Sequence, residues 1–172
     1  KVQYPVAEVN GKIVLGFYRG GTRSVVPTAY CGNSHHLCNK ALAVMPALLE
    51  KHGITAYDEA SGQGLLRRVV FRASAARSQL MVVFVINGEA IPKADELIMD
   101  MRVALPELAS VAQNVNQKRT GVIMGESTKV LWGQPYIIEE FNELRFAISP
   151  RSFFQVNTQQ AAVLCRQAAE YA

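Results

Sequence analysis

The sequence predicts an α+β fold, a mainly antiparallel sheet with packed helices, and three observations carry that reading. Short apolar runs recur along the chain with Asn-Gly, Gly-Gly and similar turn residues between them. Only three stretches have the three-to-four-residue apolar spacing of a helix. One run, Leu80 to Ile86, is apolar without a break, as expected of a strand covered on both faces. Strands and helices in this order point to helices packed on a sheet rather than to a regular alternation of the two.

Residues 2–9 and 12–18 are extended runs joined by Asn10-Gly11, a dipeptide that accepts the positive φ values of a tight hairpin turn. The flexible Arg19-Gly20-Gly21-Thr22 turn lets Arg23 to Val26 return as a short strand that Pro27 stops. After the loop from Thr28 to His36, the stretch Asn39 to His52 carries Leu42, Met45, Leu48 and Leu49 at helical spacing. Pro46 is expected to kink this helix or begin a second segment, and Gly53 to end it. Leu65 to Arg72 and Gln79 to Ile86 read as a central hairpin across the polar turn Ser74 to Ser78. Ala94, Leu97, Ile98, Met101 and Leu105 form one stripe, with Asp95 and Glu96 at the positive end of the helix dipole and Pro106 as its limit. Leu108 to Val115, Gly121 to Met124, Lys129 to Trp132, Tyr136 to Phe141 and Leu144 to Ile148 read as further short strands. Asn157 caps a last helix with Gln160 at its third position, and Ala161, Leu164, Cys165, Ala168 and Tyr171 line one face of it. That face lacks a partner within the chain, so the natural protein is expected to continue past Ala172.

The 172 residues, 49% hydrophobic and 19% charged, suffice for one core, or for one domain and part of another. No apolar run approaches the roughly 20 residues of a membrane-spanning helix, and no membrane partner is expected. The opening Lys1 and the lack of a leader suggest a trimmed chain. The net charge of +4 is uneven. Residues 1–77 hold ten Lys and Arg against four Asp and Glu, whereas residues 78–172 hold eight against ten. The front half is the better partner for a polyanion, although a solvated basic surface accounts for the same counts. Three widely spaced cysteines, Cys31, Cys38 and Cys165, argue against a secreted disulfide scaffold and for a reducing, cytoplasmic setting.

Chemistry is sparse. No Gly-rich phosphate loop of standard spacing occurs, and no Ser/His/Asp or Cys/His pair stands in a nucleophile context. Cys31, His35, His36 and Cys38 lie within eight positions, but their spacing matches no standard zinc module and reads as incidental. Asp58 and Glu59, adjacent carboxylates in a polar turn, read as solvated rather than as an acid/base pair. The turn Gln117-Lys118-Arg119-Thr120, after Asn114 and Asn116, is of a kind that contacts phosphates or simply lies exposed. Ser149-Pro150-Arg151-Ser152-Phe153-Phe154-Gln155-Val156-Asn157 sets two aromatics and an amide between a strand and a capped helix. Such a junction either stacks a base or bonds a cofactor, or it buries both rings and leaves Gln155 on the surface.

Seven segments together carry a family resemblance. They are Gln3-Tyr4-Pro5-Val6, Gly16-Phe17-Tyr18-Arg19, Ala56-Tyr57-Asp58-Glu59, Gly64-Leu65-Leu66-Arg67, Gln113 to Asn116 through Lys118-Arg119-Thr120, Lys129-Val130-Leu131-Trp132-Gly133, and Ser149 to Asn157. In this order they resemble the S-adenosylmethionine-dependent RNA uracil-5-methyltransferases, the bacterial 23S ribosomal RNA branch in particular. The resemblance runs nearly end to end, and the Ser149 to Asn157 segment is its most specific part. It implies an enzyme that flips a uridine out of folded RNA, attacks its C6 with a cysteine, transfers a methyl group to C5 and removes the C5 proton. Addition at C6 is what makes C5 nucleophilic, and the base must leave the stack to be reached.

In that family the nucleophile, the proton-abstracting carboxylate and the cofactor loop lie in a C-terminal Rossmann-like domain that follows the Ser149 to Asn157 helix. None is in this chain, so no catalytic residue is assigned, Cys165 included, and the piece alone is expected to be inactive. Residues 1–148 are then a central α+β domain, and 149–172 the junction and first helix of the catalytic domain. The resemblance assigns Gln155 to S-adenosylmethionine and Phe153 to the substrate pocket. It assigns Cys31 to the fourth ligand position of a four-iron, four-sulfur cluster whose other ligands lie upstream. Some members lack the cluster, and Gly32-Asn33-Ser34 departs from the family's usual sequence. Arg19, Arg23, Arg67, Lys118 and Arg119 are expected to hold RNA, with 23S ribosomal RNA as the partner and no stable protein partner. The rival readings are a tRNA enzyme of the same family, a non-catalytic RNA-binding module, and an interaction domain whose basic half faces an acidic protein.

Overall fold

In the computed structural model, which describes residues 1–119 and 121–171, Asn10 and Gly11 both take positive φ (53° and 74°). Their turn sets β1 (Val2–Val9) antiparallel to β2 (Lys12–Tyr18). Thr120, the end of the basic turn, and Ala172, the end of the chain, lie outside the described residues. β3 (Val25–Pro27) pairs with β2 at the sheet's edge and includes Pro27 rather than stopping before it. An edge strand has one unpaired side, where the missing proline N–H removes no ladder bond. Gly16 faces Pro27, and a Cβ there would lie 1.9 Å from the Val26 carbonyl oxygen, so glycine is what lets β3 close on β2.

β4 (Leu66–Ser74) pairs antiparallel with β1, and β5 (Gln79–Ile86) with β4. The chain then crosses through α2 (Ala94–Ala104) to β6 (Leu108–Val115), which runs parallel to β5, and returns as the antiparallel β7 (Ser127–Gly133). A parallel neighbour needs a crossover of this kind. The seven strands lie in the order β3-β2-β1-β4-β5-β6-β7. A second, two-stranded sheet is formed by β8 (Ile137–Phe141) and β9 (Leu144–Ile148).

The period-two alternation of each strand divides the core. Tyr4, Leu15, Val69, Phe71, Leu80, Val82, Phe84 and Ile86 face the helices and pack with Leu42, Met45 and Leu49 of α1 (His36–Lys51) and Leu97, Ile98 and Met101 of α2. Val70, Met81, Val83 and Val85 face the other way and meet Ile137 and Ile148 of the β8–β9 hairpin. β5 therefore has both faces covered, as its unbroken apolar run requires, and each such side chain contributes about 1.5–3 kcal/mol by leaving water.

Two sequence expectations are corrected. α1 begins at His36, where the His35 Nδ1 accepts a hydrogen bond from the Leu37 N–H, and it continues through Pro46 as one helix. Pro46 cannot bond the Leu42 carbonyl, but Leu42, Met45 and Leu49 are buried on both sides of it, and packing holds the helix across the gap. Gly121 to Met124 is not a strand. The Asn116 amide nitrogen donates to the carbonyls of Val122 (2.8 Å) and Ile123 (3.1 Å), so side-chain bonds take the place of a ladder there. In α3 (Thr158–Glu170) the expected cap is present, with Asn157 Oδ1 accepting from the Gln160 N–H at 3.0 Å. No residue of α3 is buried, and Leu164 and Tyr171 stand exposed.

Candidate functional site

Arg67 occupies a bulge. Leu66 faces Ile86 and Arg68 faces Val85, so Arg67 is an extra residue in β4, and such a bulge re-aims a side chain off the regular alternation. Its Nη1 donates to the carbonyls of Asn116 and Lys118, both at 2.8 Å, and its Nη2 lies 3.4 Å from Glu59. Its guanidinium carbon sits 4.7 Å from the centre of the Tyr57 ring. With 8% of its surface exposed, Arg67 is a buried brace for the loop after β6, its guanidinium engaged by the protein itself. The burial follows from the two carbonyls it satisfies, since unpaired they cost about 1–3 kcal/mol each.

The other basic residues surround this brace. Arg23, on the turn between β2 and β3, reaches Glu59 at 2.7 Å while its side chain stays 74% exposed. Arg19 closes the same turn through its main chain, its N–H donating to the Ser24 carbonyl at 2.9 Å, and its side chain is exposed. Arg119 Nη2 donates to the Ser61 carbonyl at 3.2 Å, and Lys118 pairs with Glu126 at 3.2 Å across open surface. The fold thus gathers Arg23, Lys118 and Arg119 around the loop before β4. A groove of about 520 Å³, lined by Tyr18, Arg23, Tyr57 and Glu59, runs between that loop and the β2–β3 turn.

Two residue types missed from the sequence hold this surface in shape. Asn114, fully buried, donates to the carbonyls of Gly125 and Ser127 and accepts the Gly125 N–H at 2.6 Å. A Cβ on Gly125 would lie 1.9 Å from the Val115 carbonyl oxygen, so the loop closes only with glycine. The carboxylates also divide. Asp58 accepts from the Ser61 hydroxyl and from the main-chain N–H groups of Ser61 and Ala60, which hold its pKa below the usual carboxylate range. Glu59 bonds the two arginines. Neither is placed as an acid/base pair. Asn114 lies in β6 and Asn116 just past it, both buried, and a buried amide must find partners.

Cys31 is clamped by Asn39, whose side chain accepts from the Cys31 N–H and donates to its carbonyl, both at 3.0 Å. Hydrogen bonds from the Ser34 hydroxyl and the Asn33 main chain lower the Cys31 pKa. Cys38 lies in the core, where burial pushes its thiol up to about 11. His35 caps α1, and its ring lies 4.3 Å from that of His36. Among the described residues no three His, Cys, Asp or Glu side chains converge on a metal-sized site.

In the segment after β9, Ser152 and Phe154 turn inward while Phe153 and Gln155 turn outward. Phe154 packs 5.5 Å from Phe146 and edge-on to Phe141 at 6.4 Å, whereas Phe153 is 86% exposed. The structure therefore separates the two rings, one to the core and one to the surface. Gln155 stands at the rim of a small cavity of about 30 Å³ shared with Arg72, Glu139, Phe154 and Thr158. Arg151 Nη1 donates to the Glu126 carbonyl at 2.7 Å and so ties this segment to the loop that carries Lys118.

No protein-family model matches the chain. All of it aligns with an uncharacterized RNA methyltransferase of Oceanobacillus iheyensis at 41% identity, and with one of Halalkalibacterium halodurans, also at 41%. An uncharacterized RNA methyltransferase of Listeria monocytogenes is 38% identical over the same length. The chain spans about 38% of the length of each of these relatives. Among solved structures, the Pyrococcus abyssi tRNA (uracil-54, C5)-methyltransferase in complex with S-adenosyl-L-homocysteine matches 98% of this chain and 39% of its own. The TM-score is 0.78 at 23% identity, a likeness of fold.

Proposed function

The chain belongs to the family of those RNA methyltransferases, and from that premise we propose that it is the RNA-facing part of an enzyme that methylates C5 of a uridine, with 23S ribosomal RNA as substrate. The observation that carries this reading is the outward pair Phe153 and Gln155, held on a segment whose neighbours Ser152 and Phe154 turn inward. An exposed ring of this kind stacks on an extruded base, and an exposed amide has a donor and an acceptor to offer a cofactor.

Residues 1–148 serve as the central domain and 149–172 as the start of a catalytic domain in this reading. Arg19, Arg23, Lys118 and Arg119 neutralise phosphates on one side of the molecule. Arg67 fixes the main chain of residues 116–118, and so aims Lys118 and Arg119 without touching RNA. S-adenosylmethionine supplies the methyl group when bound, and Gln155, exposed and without a side-chain hydrogen bond among the described residues, fits as one of its contacts. A four-iron, four-sulfur cluster needs thiolates, and Cys31 fits as one, being partly exposed with donors that favour the thiolate. Cys38, neutral and buried, does not fit. The segment resemblance supports the ribosomal branch. The tRNA enzyme is the second reading, and it is favoured by the solved structure of like fold, whose own substrate is tRNA.

The test is to express the complete reading frame and incubate it with labelled S-adenosylmethionine and undermodified ribosomal RNA and tRNA, then map the product by mass spectrometry. The expected product is 5-methyluridine in 23S ribosomal RNA. The same nucleoside in tRNA alone would move the protein to the other branch. Folded protein that binds RNA but transfers nothing to either would make it a binding module.

A further inference from the structure

Arg72 is a buried cation for which the reading above has no use. It lies on β4, on the face that β8 and β9 cover, with 3% of its surface exposed. Glu139 lines the same cavity, but its carboxylate is bonded by the Ser74 hydroxyl and by the main-chain N–H groups of Ala75, Ala76 and Glu140. The Arg72 Nε has no hydrogen-bond partner among the described residues. Its Nη2 has one, the carbonyl oxygen of Ser152.

Stability does not account for such a residue. Taking a guanidinium out of water costs several kcal/mol, and an apolar side chain of similar length would fill the same space without that cost. What arginine adds is a charged donor on a main-chain oxygen, a stronger bond than a neutral one. That oxygen belongs to the residue just before Phe153. Ser152 to Gln155 belong to no helix or strand and their burial alternates, so the half-buried Ser152 and Phe154 set the aim of the exposed Phe153 and Gln155. Phe154 is the apolar anchor, among Phe141 and Phe146, and Ser152 is the polar one, through Arg72. Ser149 also holds the Ser152 hydroxyl and Arg151 ties the segment to the Glu126 carbonyl, and Arg72 is the group that joins the Ser152 carbonyl to β4.

We propose that Arg72 is a positioning residue, which clamps the Ser152 carbonyl to the sheet and thereby holds Phe153 and Gln155 toward the cofactor and the target base. The part that concerns cofactor and base rests on the proposed function; the clamp itself does not.

Arg72→Met and Arg72→Lys are compared with the unaltered protein, all as the complete reading frame, by urea unfolding, hydrogen exchange and S-adenosylhomocysteine binding. Arg72→Met is expected to fold with a urea midpoint close to the parent's, the relief of a buried guanidinium opposing the cost of the unpaired Ser152 carbonyl. Its amides from Phe153 to Val156 are expected to exchange about tenfold faster, with exchange in β4 and β5 unchanged. Its S-adenosylhomocysteine Kd is expected to rise about tenfold, and Arg72→Lys to recover most of both losses. Unchanged exchange at Phe153 to Val156 in a folded Arg72→Met protein overturns the clamp. If Arg72→Met does not fold, Arg72→Gln, which lacks the charged donor, decides: parent-like stability with faster exchange at Phe153 to Val156 supports the clamp, and parent-like exchange there overturns it. Faster exchange in Arg72→Met, together with a parent that binds no S-adenosylhomocysteine, upholds the clamp and removes the proposed function instead.

Discussion

Cys31 and Cys38 stand seven positions apart and are set in opposite directions by their surroundings. Donors around Cys31 favour its thiolate, whereas the core around Cys38 favours the neutral thiol and pushes it up to about 11 from an ordinary 9.0. Folding therefore favours the protonated Cys38, a contribution complete below pH 9 and lost as pH rises from there toward 11, at about 1.4 kcal/mol per pH unit. Urea unfolding across that range should show Cys38→Ala losing less stability than the parent; equal slopes would mean that burial does not hold the thiol neutral. Iodoacetamide at neutral pH should label Cys31 and spare Cys38 until the chain unfolds. Arg67 gives a second residue-scale test. Arg67→Met leaves the Asn116 and Lys118 carbonyls without their charged donor, and about 2–3 kcal/mol of stability should be lost in the same assay. A loss below 0.5 kcal/mol or so would make the brace dispensable. Local spacing does not show that Arg67 is buried, because the bulge that re-aims it depends on pairing with β5.

α1 shows an element overriding its own local signal. Pro46 costs up to about 3 kcal/mol in a helix interior, and the helix forms nonetheless because Leu42, Met45 and Leu49 are buried against the sheet. Pro46→Ala should stabilise the protein by about 1–3 kcal/mol and raise Tm by several degrees. A lower Tm would show that the proline packs better than alanine would. The end of α1 is joined to α2 through Asp100, which lies 2.7 Å from both Lys51 and His52. Their hydrogen bonds hold the Asp100 pKa below its ordinary value, so this contribution is present above the ordinary carboxylate range and is lost as pH falls through the lowered value. Asp100→Asn should flatten the acid side of the stability profile, and a profile unchanged below pH 4 or so would remove the linkage. Strand and helix spacing was legible over nearly every element. Gly121 to Met124 was misread, because its apolar residues carry a strand's composition while the amide of Asn116 has already taken the carbonyls.

Over the whole molecule, the sheet separates two surfaces of different use. One face carries α1 and α2; on the other, the hairpin β8–β9 and the segment after it leave Phe153 and Gln155 exposed. The basic residues meet at the loops before β4 and after β6, and Arg151 links that region to the Phe153 segment. If the proposed function holds, changing Arg19, Arg23, Lys118 and Arg119 to glutamine should weaken RNA binding alike for all sequences. The slope of log affinity against log salt should fall by about 0.7–0.9 for each phosphate contact removed. Arg67→Met should lower affinity without changing that slope, since it aims the contacts rather than making one. Affinity untouched by the fourfold change would place the RNA elsewhere.

The sequence by itself determined what depends on near neighbours: the Asn10-Gly11 turn, the Asn157 cap, the strands read by alternation and the double burial of β5. These follow from φ preferences and side-chain periods that act within a few residues. Only the tertiary structure decided which charges stay free and which ring of Phe153 and Phe154 faces out. It also decided that β6 lies parallel to β5. Arg67 is buried by carbonyls 49 and 51 residues away, and Arg72 is engaged by a segment 80 residues on. A charge's exposure is set by what the fold brings against it, and no local pattern encodes contacts made at that distance along the chain.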